Sequence, residues 1–244
     1  MSISTHQPAD RVEGTGEMDS TERLVSSSEP SPVLIEQFRN LAATLNRTQR
    51  ERSIKSLLVT SPAPGDGKSH VAVNLALTLS DSYRKKVLLI DADMRRPTLH
   101  HLFHVSPMPG LHEALRAEGG ELGEVIPITG TLSLLPAGRL QPNPVGDLSS
   151  GRMARLIAAA TSRFDWVIVD SPPAAGLADA SILLETVDAA VLVVRAGVTR
   201  FPELQAAADA LGPERLLGVI LNAVAPGDIR RDDYYGNYYN ARSK

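Results

Sequence analysis

The chain contains no cysteine in its 244 residues. Disulfides and thiolate zinc sites are therefore excluded, and the composition suits a reducing cytoplasm. No apolar run approaches the ~20 residues a membrane-spanning helix needs. The longest, at 189–194, reads as a buried strand. A secretory leader is not expected either, because Thr5, His6, Gln7 and Asp10 stand where its apolar core would lie. Neither sign of charge dominates. Lys and Arg number 25 against 28 Asp and Glu, a net charge of −3, which argues against a nucleic-acid footprint over the surface.

Apolar residues make up 43% of the chain, enough to build the core of one α/β domain. Residues 1–32 are polar and rich in Ser, Glu and Pro, which predicts a disordered N-terminal segment. Leu34, Phe38, Leu41 and Leu45 recur at helical spacing and predict a helix over 33–45. Glu36 and Arg39 fall on its opposite face, either solvated or in contact with a second subunit. Short apolar runs follow at 56–60, 87–90, 132–135, 166–169, 189–194 and 217–221. They alternate with helical patterns at 70–80, 110–116, 151–162, 178–185 and 202–211. Most of the runs are continuously apolar, as strands covered on both faces are. The alternation predicts a doubly wound, mostly parallel sheet over 33–224, with right-handed crossovers. Residues 225–244 turn polar again and read as a flexible tail.

The run Leu57-Leu58-Val59-Thr60 leads through Ser61-Pro62-Ala63-Pro64 into Gly65-Asp66-Gly67-Lys68-Ser69 and then into a helical pattern. Strand, glycine-rich loop and helix in that order form a phosphate cradle. Loop N–H groups converge on the anion and the helix N-terminus adds partial positive charge. Lys68 would reach the β- and γ-phosphates, and the Ser69 hydroxyl would ligate Mg²⁺. Pro62 stands where such loops usually begin with glycine, so on its own the stretch could also be a plain strand-to-helix connection.

Acids at the ends of two other apolar runs add weight. Val87 to Ile90 is followed by Asp91-Ala92-Asp93, and Trp166 to Val169 by Asp170. In open α/β sheets, ligands bind outside the carboxyl ends of the strands. Asp91, Asp93 and Asp170 would therefore gather beside Lys68, where one or two carboxylates plus phosphates suffice for Mg²⁺. Asp179 is expected to cap the helix that follows it, with a secondary place at the metal site as the lesser reading. Asn222 follows the last apolar run and would either hydrogen-bond an adenine edge or form a turn. His100, His101 and His104 have no acidic or cysteine partners at metal-ligand spacing.

Four of the five tyrosines, Tyr234, Tyr235, Tyr238 and Tyr239, crowd into the tail beside Asp232 and Asp233. No core strand could bury four such rings, so the tail is either a docking peptide or a phosphorylation substrate. With these motifs in view, the chain resembles the bacterial tyrosine kinases of capsule and exopolysaccharide systems, in the form of a separate cytoplasmic kinase subunit. Ala63 to Ser69 resembles that family's Walker A loop, Leu89-Ile90-Asp91-Ala92-Asp93-Met94-Arg95-Arg96-Pro97 its Walker A′ motif, and Val167-Ile168-Val169-Asp170-Ser171-Pro172-Pro173 its Walker B motif. The tyrosine cluster resembles its autophosphorylation site. Its helical Glu-x-x-Arg-x-x-Arg assembly motif is met by Glu36 and Arg39 but not by Ala42.

The resemblance implies an ATP- and Mg²⁺-dependent protein-tyrosine kinase acting on Tyr234, Tyr235, Tyr238 and Tyr239. Gly65, Asp66, Gly67, Lys68, Ser69 and Asn222 would hold the nucleotide, Ser69, Asp93 and Asp170 the metal, and Lys68, Asp91 and Asp93 would act in catalysis. It further implies a homo-oligomer recruited to the inner face of the membrane by a polysaccharide co-polymerase. The rival reading is an ATPase scaffold, like the plasmid-partition and septum-positioning ATPases, whose nucleotide state governs binding to a membrane partner. Those relatives carry an extra lysine early in the loop, where this chain has Ala63.

Overall fold

The computed structural model describes residues 24–25, 31–117, 122–174 and 176–225. The chain runs α1 (Pro32–Arg52), β1 (Ser56–Thr60), α2 (Lys68–Asp81), β2 (Val87–Asp91), α3 (Leu99–Leu102), α4 (Leu111–Arg116), β3 (Ile126–Pro127), β4 (Leu132–Leu135), α5 (Val145–Leu148), α6 (Arg152–Arg163), β5 (Trp166–Asp170), α7 (Asp179–Leu184), β6 (Ala189–Arg195), α8 (Phe201–Leu211) and β7 (Leu216–Asn222). The strands form one sheet in the order β3-β4-β2-β5-β1-β6-β7. All neighbours pair in parallel except β3 and β4. The chain leaves β1 toward β2 on one side, and later crosses from β5 over β1 to β6 on the other. Such a reversal opens a crevice at the carboxyl ends of the central strands.

β1, β2 and β5 are buried at every position, which is why their sequences lack apolar–polar alternation. One face of the sheet carries a core of Leu58, Leu88, Ile90, Val167 and Val169 with α4 to α8. The other face carries Leu57, Val59, Leu89, Trp166 and Ile168 with α1 and α2. α2 is buried from Val71 through Ser80 because it lies between the sheet and α1. A helix so enclosed has no polar stripe to display.

α1 runs seven residues beyond the expected end at Leu45. Ala42, Leu45 and Asn46 are its buried residues. Trp166 Nε1 donates to Asn46 Oδ1 at 3.1 Å and Gln49 Nε2 to the Asp165 carbonyl at 2.9 Å, so the last turns are held by polar anchors that an apolar pattern does not reveal. Disorder throughout 1–32 does not hold. Leu24 is buried in the core beside α2, and the Val25 N–H donates to Asn74 Oδ1 at 2.7 Å. β3, α3 and α5 were not expected from the sequence. Each has two to four residues, too few for a periodic pattern to repeat. Among the described residues no helix is long and apolar enough to cross a membrane. Tyr234, Tyr235, Tyr238 and Tyr239 lie outside the described residues.

Candidate nucleotide and metal site

The loop after β1 turns through two left-handed glycines, Gly65 at φ 87° and Gly67 at φ 94°. At Gly67 the left-handed backbone angle disfavours any side chain, and a Cβ would also press on the Asn222 amide. α2 begins at Lys68, earlier than the expected start at His70, so Lys68 and Ser69 sit in its first turn, where backbone N–H groups have no helical acceptor.

The structure brings Lys68, Ser69, Asp91, Asp93 and Asp170 together. Lys68 Nζ lies 3.1 Å from Asp93 Oδ2 and 3.3 Å from Ser69 Oγ. Asp91 and Asp170 are opposite each other across the β2–β5 ladder, and both are fully buried. Asp91 Oδ2 accepts the N–H groups of Thr98 and Leu99 at 3.1 and 3.0 Å, and its Oδ1 accepts that of Asp93 at 3.2 Å. The Asp91 carboxylate thus shapes the loop after β2 and anchors the start of α3. Asp93 Oδ1 accepts the Arg96 N–H at 3.0 Å, which leaves Oδ2 for Lys68. Asp170 differs from both: neither of its carboxylate oxygens meets a described donor at full hydrogen-bond geometry, and the Ser69 hydroxyl is the neighbouring neutral donor that favours its charged form.

The electrostatics follow from this crowding. Burial pushes the Asp91 carboxyl up to about 8, with the Asp170 charge adding to the shift. Burial likewise pushes Asp170 up to about 6, with the Lys68 charge and then the Ser69 hydroxyl pulling the other way. Burial works against the Lys68 charge, but Asp170 and Asp93 more than offset it, so its pKa stands above the ordinary lysine value. Three acids around one ammonium leave a surplus of negative charge in a dry place, and a buried carboxylate short of hydrogen bonds is costly. A divalent cation at Asp170 and Ser69 would remove that cost, and the donor set is the hard oxygen kind Mg²⁺ prefers. No three acidic or histidine side chains converge as a complete ligand set among the described residues. A metal here would therefore need phosphate or water oxygens as well, as Mg²⁺ ordinarily does.

Two expected nucleotide ligands have side chains engaged elsewhere. The Asp66 carboxylate is buried and turned into its own loop, accepting the Ala63 N–H at 2.9 Å and the Thr199 hydroxyl at 2.8 Å. Asn222 ends β7 rather than following it, and its Nδ2 donates to the Asp66 carbonyl at 2.9 Å. The cap expected of Asp179 is also corrected. Asp179 is the first residue of α7, with no side-chain cap bond. Its buried carboxylate instead takes Arg95 in a two-pronged contact, Nε at 2.8 Å and Nη2 at 3.1 Å. Arg95 lay inside the Asp91–Pro97 motif, but nothing in its spacing named its partner. Thr199 and Arg195, which touches the Gly65 carbonyl through Nη1 at 3.4 Å, belong to no motif.

The family described as ParA, NUBPL iron-transfer P-loop NTPase, matches residues 53–200. Tyrosine-protein kinase YwqD of Bacillus subtilis is 35% identical over 225 residues, covering 91% of this chain and 94% of that protein. Tyrosine-protein kinase wzc of Salmonella typhimurium is 32% identical over 228 residues, covering 91% of this chain but only 31% of that protein. Among solved structures, the kinase domain of Escherichia coli tyrosine kinase ETK superposes with a TM-score of 0.73 at 32% identity, over 78% of this chain and 76% of that one.

Proposed function

The chain belongs to the bacterial tyrosine kinases, built on the ParA-type P-loop fold, and from that premise we propose that it transfers the γ-phosphoryl group of ATP to tyrosines of its own tail, Tyr234, Tyr235, Tyr238 and Tyr239. The observation that carries this reading is the Asp170 carboxylate, fully buried and facing the Lys68 ammonium and the Ser69 hydroxyl, in a family whose named members phosphorylate tyrosine. Bound Mg²⁺ would supply charge neutralisation on the phosphates. Ser69 and Asp170 would hold it, with Asp93 at its edge.

The remaining work falls to the chain's own groups. The loop N–H groups from Gly65 to Ser69 cradle the phosphates, and Lys68 exchanges Asp93 for a phosphate oxygen. Phosphoryl transfer is mostly positioning and charge stabilisation, so a fixed loop matters more than a strong base. Asp91 has its oxygens on three backbone N–H groups. We assign it the shaping of the loop after β2. Asp93, with one oxygen on Lys68, is then the carboxylate that orients the tyrosine hydroxyl and takes its proton as the new phosphorus–oxygen bond forms and the bond from the γ-phosphorus to the bridging oxygen breaks, releasing ADP.

Regulation of capsule or exopolysaccharide synthesis through a membrane co-polymerase belongs to the same proposal. It is supported by the Salmonella relative, of which this chain matches only 31%. A membrane partner that draws this chain to the inner membrane face is part of the same reading. Incubation with γ-labelled ATP and Mg²⁺, followed by acid hydrolysis, tests the central reading. Labelled phosphotyrosine is expected, and nucleotide hydrolysis with no phosphotyrosine would leave only an ATPase.

A further inference from the structure

The turn after β6 grips the phosphate loop from the side. Thr199 Oγ1 donates to Asp66 Oδ1 at 2.8 Å and accepts the Arg195 N–H at 2.8 Å, so its hydroxyl proton can point only at the carboxylate. The other Asp66 oxygen holds the Ala63 N–H at 2.9 Å, closing the loop across Pro64 and Gly65. The grip is circular. The Ala196 N–H donates to the Asn222 carbonyl at 2.8 Å, and Asn222 Nδ2 returns to the Asp66 carbonyl at 2.9 Å. Asp66 is buried. A buried carboxylate that loses a donor loses a charge-assisted hydrogen bond, the stronger kind.

We propose that Thr199 is a positioning residue for the nucleotide site, acting through Asp66 to hold the phosphate loop in its anion-binding shape. The inference rests on the nucleotide reading above. It goes further in assigning a role to a residue that touches neither phosphate nor metal.

The test uses the full chain and a fluorescent ADP analogue with Mg²⁺. Thr199→Val keeps the shape and removes the hydroxyl. Its dissociation constant should rise about tenfold, the equivalent of one charge-assisted hydrogen bond, while Thr199→Ser stays within about twofold of wild type. KM for ATP should rise with it and kcat at saturation should change less. A merely structural role would instead lower the nucleotide-free melting temperature and leave the affinity of the folded protein alone. Asp66→Asn supplies a second route, and the pair should be non-additive, with the double variant no weaker than Asp66→Asn alone. Thr199→Val binding within twofold of wild type, or additive losses, would overturn the inference. A wild-type chain that binds no nucleotide would overturn it by a different path, by removing the nucleotide site itself.

Discussion

Asp170 and Lys68 make opposite demands on the site, and single substitutions should separate them. Lys68 sits in the first turn of α2 with its ammonium on Asp93 and its side chain outside the two cores. Lys68→Met should therefore leave the far-ultraviolet circular dichroism spectrum unchanged and cut phosphotyrosine formation at least ~100-fold, the scale for losing one preorganised charge contact. Autophosphorylation at the wild-type rate would remove Lys68 from the site. Asp170 bears on stability as well. Asp91 and Asp170 carry folded-state pKa values of about 8 and about 6, above the ordinary 3.8. Across the window from about 4 to about 8 the folded chain then holds more protons than the unfolded one, so this pair's contribution to stability falls as pH rises. In metal- and nucleotide-free protein, Asp170→Asn should flatten the decline in urea midpoint between pH 5.5 and pH 8. At pH 8 its midpoint should equal or exceed that of wild type, while the stabilisation from adding Mg²⁺ with ADP is lost. Parallel pH curves for the two proteins would show that Asp170 does not carry the cost assigned to it.

At the scale of elements, α1 shows how a helix is fastened by few residues. Only Ala42, Leu45 and Asn46 are buried along it, and the Trp166 indole reaches across from β5 to Asn46. Asn46→Ala leaves that buried donor unpaired, which costs ~1–3 kcal/mol. Urea unfolding should show the loss as a lower midpoint at unchanged slope, and a shift worth less than ~0.5 kcal/mol would mean α1 is held by other contacts. Glu36 and Arg39 pair with each other at 3.6 Å on the solvated side, whereas Ala42 is completely buried. The third position of the resembled assembly motif therefore faces the core here.

The same contrast explains what the sequence revealed. β1 was legible to the residue because a short apolar run with polar ends, leading into a glycine-rich loop, suits a strand covered on both faces, and β4 was legible although Ser133 interrupts its leucines. The phosphate loop and the acids at the strand ends were legible because their chemistry needs fixed residue types in fixed order. The partners of Arg95, Asp66 and Asn222 were not. Apart from the local Ala63–Asp66 bond, these contacts join residues far apart in the chain, such as Arg95 with Asp179, and depend on strand order rather than on any local pattern. Asp179 misled for the same reason. An acid at a helix start is locally a cap, and only the fold places an arginine opposite it.

At the scale of the whole molecule, the strand order decides where the tail begins. β7 lies at the edge of the sheet beside β6, and its last residue, Asn222, touches the phosphate loop. The tail therefore leaves next to the site it is proposed to feed. The distance from Asn222 to Tyr234, taken as that of an unstructured chain, is roughly 20 Å, so reach alone does not forbid a chain from phosphorylating itself. β7 runs parallel to β6 and ends at the carboxyl edge of the sheet, and on the proposed reading the tail is delivered to the crevice of a second copy. Each phosphate added would bring ~1.5–2 negative charges beside Asp232 and Asp233, so transfer between copies would also weaken their association as it proceeds. A mixture of a full-length Lys68→Met chain with an active chain truncated after residue 229 isolates the two routes. Phosphotyrosine should appear on the inactive full-length chain, at a rate that rises with the concentration of the truncated one. If that chain stays unmodified while wild type phosphorylates its tail at a rate independent of concentration, transfer occurs within one molecule, and phosphorylation cannot be the step that separates one copy from the next.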